Sequence, residues 1–249
     1  MKFKSKIITE YLDSNKYDFF IFDIDYTINE LEIINDFEII NPNNYGHFGS
    51  LDDIKDLKKY LTDIGNNTKN CINGMEKLII RLIKKVLLGY KMKYFWLAIR
   101  ISPPNNRFDI PRWHKDGTFF IGDTNEKSSV KFITTLKGPG TLLIKSTKKI
   151  NKIYDKILKE QFAEMSKYKT IQEKIKIGDN FRPILAKKFS KEKVIQAKNN
   201  DGILFYTGIP HDNAALHSEP KMDTSRIFIS ILPSSYENIK DLQKRFTKS

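Results

Sequence analysis

The second half of the chain consists largely of short runs of β-branched and aromatic residues separated by turn residues. Such runs predict β-strands, and their close spacing favours an antiparallel sandwich or barrel over a parallel sheet with crossover helices. The strand-like runs cover residues 94–101, 112–121, 130–136, 141–145, 194–197, 202–206 and 225–233. A helical insertion is predicted at residues 147–177, where apolar residues recur every three or four positions. We therefore expect a mainly β fold that carries an inserted helical segment.

Residues 1–92 are predicted to form a mostly helical support for this β-rich part. The predicted local structures are helices at 5–15 and 51–64, a strand at 17–23 and an amphipathic helix at 74–88. Ser50 is the expected N-cap of the second helix. The 249 residues, 40% of them hydrophobic, suffice for one sizeable core. We expect a single domain with its core at 93–235 and a C-terminal tail or helix at 236–249.

The composition favours a soluble intracellular protein. A single cysteine, Cys71, excludes an intrachain disulfide and favours the cytosol or nucleus. No apolar run approaches the roughly 20 residues that a membrane span needs. The formal net charge of +13 makes nucleic acid or another acidic partner conceivable. The lysines are spread along helix-like segments instead of forming a tail, so nucleic-acid binding is possible but not favoured.

The segment Trp113-His114-Lys115-Asp116-Gly117 contains the first candidate functional residues. Alternate residues of a strand point to the same face, so the His114 imidazole and the Asp116 carboxylate can approach one point. Two ligands of a single metal ion need this arrangement. A His-x-Asp triplet also arises by chance, and the alternative is a surface histidine beside a solvated aspartate.

A second group of candidates lies near the C-terminus. His211 and His217 precede a strand-like run in which Arg226, Phe228 and Ser230 share one face and isoleucines share the other. A buried guanidinium without a partner is costly, so an arginine on so apolar a strand implies an anionic partner.

The chain resembles the Fe(II)- and 2-oxoglutarate-dependent dioxygenases in three features. These are the motif His114-x-Asp116, a histidine about a hundred residues later, and an arginine nine residues beyond His217. The resemblance covers roughly residues 94–233, and 112–117 and 217–220 are also similar to an uncharacterised branch of that superfamily. It implies a double-stranded β-helix of the jelly-roll type. It further implies Fe(II) held by two histidines and Asp116, and a hydroxylation that consumes O₂ and 2-oxoglutarate and releases succinate and CO₂.

In this resemblance Arg226 would hold the distal carboxylate of 2-oxoglutarate, because a guanidinium fork matches a carboxylate. Many members have Ser or Thr two residues after the arginine, whereas this chain has Phe228 there and Ser230 further along the same face. We expect Arg226 and Ser230 to contribute to the cosubstrate site.

Two histidines could complete the metal site. The ligand and the arginine should lie on neighbouring antiparallel strands joined by a turn of modest length. Residues 218–225 suit such a turn, so His217 is the predicted third ligand. His211 is then expected to be a loop or pocket histidine near the opening of the same site.

Two alternatives stay open at this point. A cupin-like jelly roll could bind another metal without being an oxygenase, although it would not need Arg226. The run Asp23-Ile24-Asp25-Tyr26-Thr27 resembles the first motif of haloacid-dehalogenase-like phosphatases, in which Asp23 would be the nucleophile and Asp25 the acid/base. That family also needs a Ser or Thr after a second strand, a lysine and a later acidic pair, and the only candidates here, Thr207 and Asp123, are poor and stand in the wrong order. The identity of the oxidised substrate does not follow from the sequence.

Overall fold

The computed structural model describes residues 5–14, 18–120, 130–208 and 214–247. The helices are α1 Ser5–Ser14, α2 Ile28–Asp36, α3 Leu57–Asp63, α4 Lys69–Tyr90, α5 Lys148–Met165, α6 Ile171–Phe189 and α7 Tyr236–Thr247. The strands are β1 Phe19–Asp23, β2 Tyr45–Gly49, β3 Tyr94–Ser102, β4 Val130–Lys137, β5 Leu142–Ile144, β6 Val194–Gln196, β7 Asp201–Tyr206, β8 Leu216–Ser218 and β9 Arg226–Ser234.

The strands form two antiparallel sheets. The larger sheet has the order β1-β7-β4-β9-β3-β2, and the smaller has the order β6-β5-β8. An isolated antiparallel bridge between His114 and His217 extends the smaller sheet beyond β8. From β3 onward the chain crosses repeatedly between the two sheets, which is the winding of a double-stranded β-helix. The predicted jelly-roll core with flanking and inserted helices is confirmed.

The two faces of β9 separate the interior of the barrel from the helical layer. Ile227, Ile229 and Ile231 belong to the large hydrophobic core that includes the buried face of α4. Phe228 instead packs against a cluster that contains Leu143 of the smaller sheet. Arg226, Phe228 and Ser230 therefore face the space between the sheets, as the alternation of the strand predicts.

The inserted helices cover the outside of the smaller sheet. They run from Lys148 to Phe189 and so extend beyond the predicted end at residue 177. Their apolar faces form one cluster with residues of the smaller sheet and of the His114 segment: Trp113, Ile144, Ile150, Tyr154, Ile157, Leu185, Phe189 and Leu216. This packing fixes the segment that carries the first candidate ligands.

Two local predictions were wrong. The helix expected at 51–64 is a 3₁₀ turn at Leu51–Asp53 followed by α3. Ser50 is the N-cap of the turn and donates hydrogen bonds to the Asp53 side chain, but Ile54 is extended (φ −75°, ψ 102°) and ends the turn before α3 begins. Within the described part of the strand expected at 112–121, only His114 makes a bridge. Ile121 lies outside the described residues.

The Asp23–Thr27 motif has a structural role here. Thr27 is the N-cap of α2 and forms a reciprocal capping box with Glu30, and Asp25 lies 3.5 Å from Lys85 Nζ. The strand that carries Asp23 lies antiparallel to β7 at the edge of the larger sheet. The phosphatase alternative therefore gains no support from the fold. Over the described ranges, no helix combines the length and the apolar character needed to cross a membrane.

Candidate metal centre

His114 and His217 lie side by side because their backbones form a reciprocal pair of hydrogen bonds. Each backbone N–H donates to the carbonyl of the other residue at 2.9 Å. The Oδ1 atom of Asp116 is 3.8 Å from His114 Nε2 and 3.6 Å from His217 Nε2. The three ligand atoms all lie within 4.8 Å of one another. Within the described ranges, this is the only group of three or more His, Cys, Asp or Glu residues that could hold a metal ion.

The second nitrogen of each imidazole is fixed by a backbone carbonyl. His114 Nδ1 lies 2.7 Å from the carbonyl oxygen of Arg112, and His217 Nδ1 lies 3.0 Å from that of Ala215. A carbonyl oxygen can only accept, so each Nδ1 carries the proton and donates it. The lone pair of each Nε2 is then directed toward Asp116. Hydrogen bonds of this kind set the tautomer and the orientation of histidines that bind metals.

The ionisation states of the three side chains suit metal binding. Burial, followed by the proximity of His217 and Arg112, lowers the pKa of His114 to about 4. Burial also lowers the pKa of His217. For Asp116 burial raises the pKa, but Lys131 and the two imidazoles outweigh it and hold the pKa well below its ordinary value. Two neutral imidazoles and one carboxylate are the protonation states in which these groups bind metals.

Lys131 on β4 is a component of the site that the sequence analysis missed. Its Nζ donates to Asp116 Oδ2 at 2.7 Å, and its side chain is only 8% exposed. The ammonium group also lies 5.3 Å from the Phe119 ring centroid and 5.8 Å from that of Phe205. Lys131 therefore compensates the buried carboxylate and leaves Asp116 Oδ1 directed at the imidazoles.

Further hydrogen bonds hold the two halves of the site in place. The Lys115 backbone N–H donates to the Tyr154 hydroxyl at 3.1 Å, and the Gly208 N–H donates to the Asp116 carbonyl at 2.8 Å. Arg112 and Glu219 form a two-contact ion pair, one contact of which joins Nε and Oε2 at 3.2 Å. This pair connects the segment that carries His114 to the segment that carries His217.

The candidate ligands lie on the wall of a cavity of about 520 Å³ that Arg226 also lines. Arg226 is 4% exposed, and its Nε donates to the Pro139 carbonyl at 2.9 Å. Its Nη2 donates to the hydroxyls of Thr135 and Thr141 at 3.2 and 2.9 Å. Its guanidinium carbon lies 4.6 Å from the Phe228 ring centroid.

Burial lowers the pKa of Arg226 to about 10, and the group stays charged at neutral pH. Among the described residues, no carboxylate lies within ion-pair distance of it. A buried cation of this kind can be compensated by an anion that enters the cavity.

His217 and Arg226 were expected on neighbouring antiparallel strands, and this was wrong: β8, which carries His217, pairs with β5 in the smaller sheet, and β9, which carries Arg226, pairs with β3 and β4 in the larger one. The two side chains still line the same cavity.

Ser230 is buried on the same face as Arg226 but is not among the described residues that line the cavity. The hydroxyls in contact with Arg226 belong to Thr135 and Thr141, whose role depends on pairing between distant strands. His211 lies outside the described residues.

Comparisons with known proteins give structural similarity only. No family model matches the sequence, and no curated protein matches it. A rice dioxygenase for auxin oxidation is 7% identical, with 94% of this chain and 79% of that chain covered and a TM-score of 0.42.

Two further similar structures are hydroxylases. A prolyl hydroxylase from Trichoplax adhaerens, in complex with a hypoxia-inducible factor peptide, is 10% identical, with coverages of 95% and 91% and a TM-score of 0.41. A viral collagen prolyl hydroxylase from Paramecium Bursaria Chlorella virus-1 is 10% identical, with coverages of 89% and 92% and a TM-score of 0.39. Similarity at this level carries no functional argument. The fold assignment depends on the strand order of this chain, and the candidate site on its own side chains.

Proposed function

We propose that this chain is a non-haem Fe(II)- and 2-oxoglutarate-dependent oxygenase that hydroxylates its substrate. The observation that carries the proposal is the convergence of two oriented imidazoles and one carboxylate on a cavity that also contains a buried arginine. In the described part of the chain, this arginine has no carboxylate partner. Two histidines and one carboxylate are the ligand set of non-haem Fe(II) oxygenases. A non-oxygenase jelly roll that only binds a metal would not need the arginine.

In this proposal His114, Asp116 and His217 would hold Fe(II). Lys131 keeps the second oxygen of Asp116 engaged, which favours coordination through one oxygen. Arg226 binds the distal carboxylate of 2-oxoglutarate, and Thr135 and Thr141 fix the plane of its guanidinium group. With Fe(II) and 2-oxoglutarate bound, O₂ would oxidise a substrate C–H bond to an alcohol while 2-oxoglutarate is converted to succinate and CO₂.

The test is an anaerobic titration with Fe(II), or with Mn²⁺ in its place, followed by 2-oxoglutarate. Wild-type protein should show a rise in melting temperature with metal and a further rise with 2-oxoglutarate, because each ligand binds the native state. Asp116→Ala and His217→Ala should abolish the response to metal. Arg226→Met should keep the metal response and weaken 2-oxoglutarate binding by about 2–5 kcal/mol.

His211→Ala serves as the matched control, because it removes an imidazole close to His217 in sequence. Metal affinity in this variant should equal that of wild type. If His211→Ala lost metal binding and His217→Ala retained it, the third metal ligand would be His211 and not His217. If the wild-type protein bound metal but not 2-oxoglutarate, the chain would be a metal-binding jelly roll and not a 2-oxoglutarate-dependent oxygenase.

A further inference from the structure

Among the residues that the structure describes, the wall of the cavity that contains the proposed iron centre carries more positive than negative side chains. The described carboxylates of this wall are Asp116 and Glu219. Five cationic side chains line the same wall: Arg100, Arg107, Arg112, Lys131 and Arg226. A divalent metal and the dianion 2-oxoglutarate add no net charge, so binding both would leave the surplus in place.

Ion pairs account for two of these cations and the proposed cosubstrate for a third. Lys131 pairs with Asp116, and Arg112 pairs with Glu219. Arg226 would bind 2-oxoglutarate. Arg100 and Arg107 remain, and neither has a carboxylate within ion-pair distance among the described residues.

Arg100 lies beside the proposed cosubstrate site. It is directly opposite Phe228 in the register of β3 and β9, so both side chains are on the face of the sheet that borders the cavity. Arg100 is exposed, in contrast to the five buried residues that precede it on its strand. The strand therefore places an accessible guanidinium group beside the cavity, directly after a run of buried residues.

Arg107 is held at the mouth of the cavity by a fixed loop. Its backbone N–H donates to Asn105 Oδ1 at 3.0 Å, and the Asn105 backbone N–H donates to the Met222 carbonyl at 3.0 Å. The guanidinium carbons of Arg107 and Arg182 lie 5.8 and 5.2 Å from the centroid of the Phe108 ring.

Arg182, on the inserted helix α6, adds to the charge behind this loop. Its Nη2 is buried and has no hydrogen-bond partner among the residues that the structure describes. Burial is the main cause of a lowered pKa at Arg182. The charge of Arg112 and, to a smaller extent, that of Arg107 lower the pKa further, while Asp179 and Glu219 oppose them. An anion at the mouth of the cavity would reduce the remaining repulsion among these guanidinium groups.

We propose that Arg100 and Arg107 bind a phosphate group carried by the oxidised substrate. The inference rests on the proposed function in taking Arg226 as the cosubstrate residue and in taking the phosphate ester to be the substrate that is oxidised. A phosphate ester fits better than a single carboxylate, because it carries close to two negative charges at neutral pH and has three terminal oxygens for guanidinium donors. A cavity of about 520 Å³ is in the range of small-molecule sites.

The test measures anion binding by calorimetry at low salt, first on metal-free protein with inorganic phosphate. Arg100→Gln/Arg107→Gln should bind phosphate on the order of 10- to 100-fold more weakly than wild type, from the loss of charged hydrogen bonds. Lys58→Gln/Lys152→Gln is the matched control, because it removes two exposed charges that do not line the cavity. It should change the affinity by less than about threefold. Circular dichroism and melting curves verify that both double variants are folded.

A second titration uses protein saturated with Mn²⁺ and 2-oxoglutarate, with phenyl phosphate as the probe. The same dependence on Arg100 and Arg107 should appear there. Equal losses in the lysine control, acetate binding as tight as phosphate, or phosphate binding that depends on Arg226 alone would overturn the proposal. Failure of 2-oxoglutarate to bind in the second titration would count against the proposed function, while the metal-free titration would still decide whether the phosphate site exists.

Discussion

Replacing Lys131 with methionine removes the cation that compensates the buried carboxylate of Asp116 while it keeps most of the volume of the side chain. Nζ and Oδ2 are 2.7 Å apart, and the two side chains are 8% and 15% exposed, so solvent screens the pair only slightly. Removing one partner of a buried pair costs about 3–5 kcal/mol, because the other charge is left uncompensated. For a chain of this length, each kcal/mol shifts the melting temperature by about 2–4 °C. Metal-free Lys131→Met should therefore melt about 6–20 °C below wild type.

The same variant should respond more strongly than wild type to a divalent metal, because the ion restores a positive charge beside Asp116. The assay is a pair of melting curves for each protein, without metal and with saturating Mn²⁺ under anaerobic conditions. Lys115→Met is the control, since Lys115 is also buried but its ammonium group donates to Asn151. In an Asp116→Asn background the cost of Lys131→Met should fall below about 1 kcal/mol. An equal cost in both backgrounds, or an equal metal response in all variants, would refute the argument.

Three further substitutions test the surroundings of the site. Gly138→Ala should destabilise the protein to urea by about 1–3 kcal/mol and weaken 2-oxoglutarate binding, because φ is +84° and a Cβ would lie 2.8 Å from the Arg226 Cα. Thr141→Val should cost about 1–3 kcal/mol in the same urea assay, since a buried guanidinium N–H loses one of its acceptors. Tyr154→Phe removes the hydroxyl that accepts from the Lys115 N–H, between the two ligands of the first motif. It should cost a similar amount and lower the affinity for Mn²⁺ in an anaerobic titration.

Local patterns were sufficient to predict the strands whose two faces differ in polarity. On β9 the alternation of isoleucines with Arg226, Phe228 and Ser230 identified both the strand and its inward face. The His-x-Asp spacing also predicted that His114 and Asp116 approach one point, and they do, although only His114 in that segment makes a β-bridge. The prediction for β9 succeeded because the period of a strand is a property of neighbouring residues.

Features that depend on pairing between distant segments could not be predicted. Strand β8 has three residues, too few for a periodic pattern, and its pairing with β5 joins segments about seventy residues apart. Lys131 is a charged residue in a strand otherwise rich in apolar residues, which the sequence shows. Its role as the partner of Asp116 depends on the contact between the two side chains in the folded chain, which the sequence does not show. The helix expected at 51–64 divided for a local reason instead, since Ile54 adopts an extended backbone conformation that ends the first turn.

Lys131 and Arg226 show why two buried cations in one cavity have different roles. Lys131 has an internal counter-charge, so its ammonium group is already compensated before any ligand enters. Arg226 has only neutral acceptors, Pro139, Thr135 and Thr141, which satisfy hydrogen bonds but leave its charge unbalanced within the described structure. Fixing a guanidinium with neutral groups keeps it oriented without competing for it electrostatically, whereas a carboxylate would have to be displaced by an incoming anion. An anionic cosubstrate is therefore expected at Arg226, and Lys131 is expected to stay with the metal ligand.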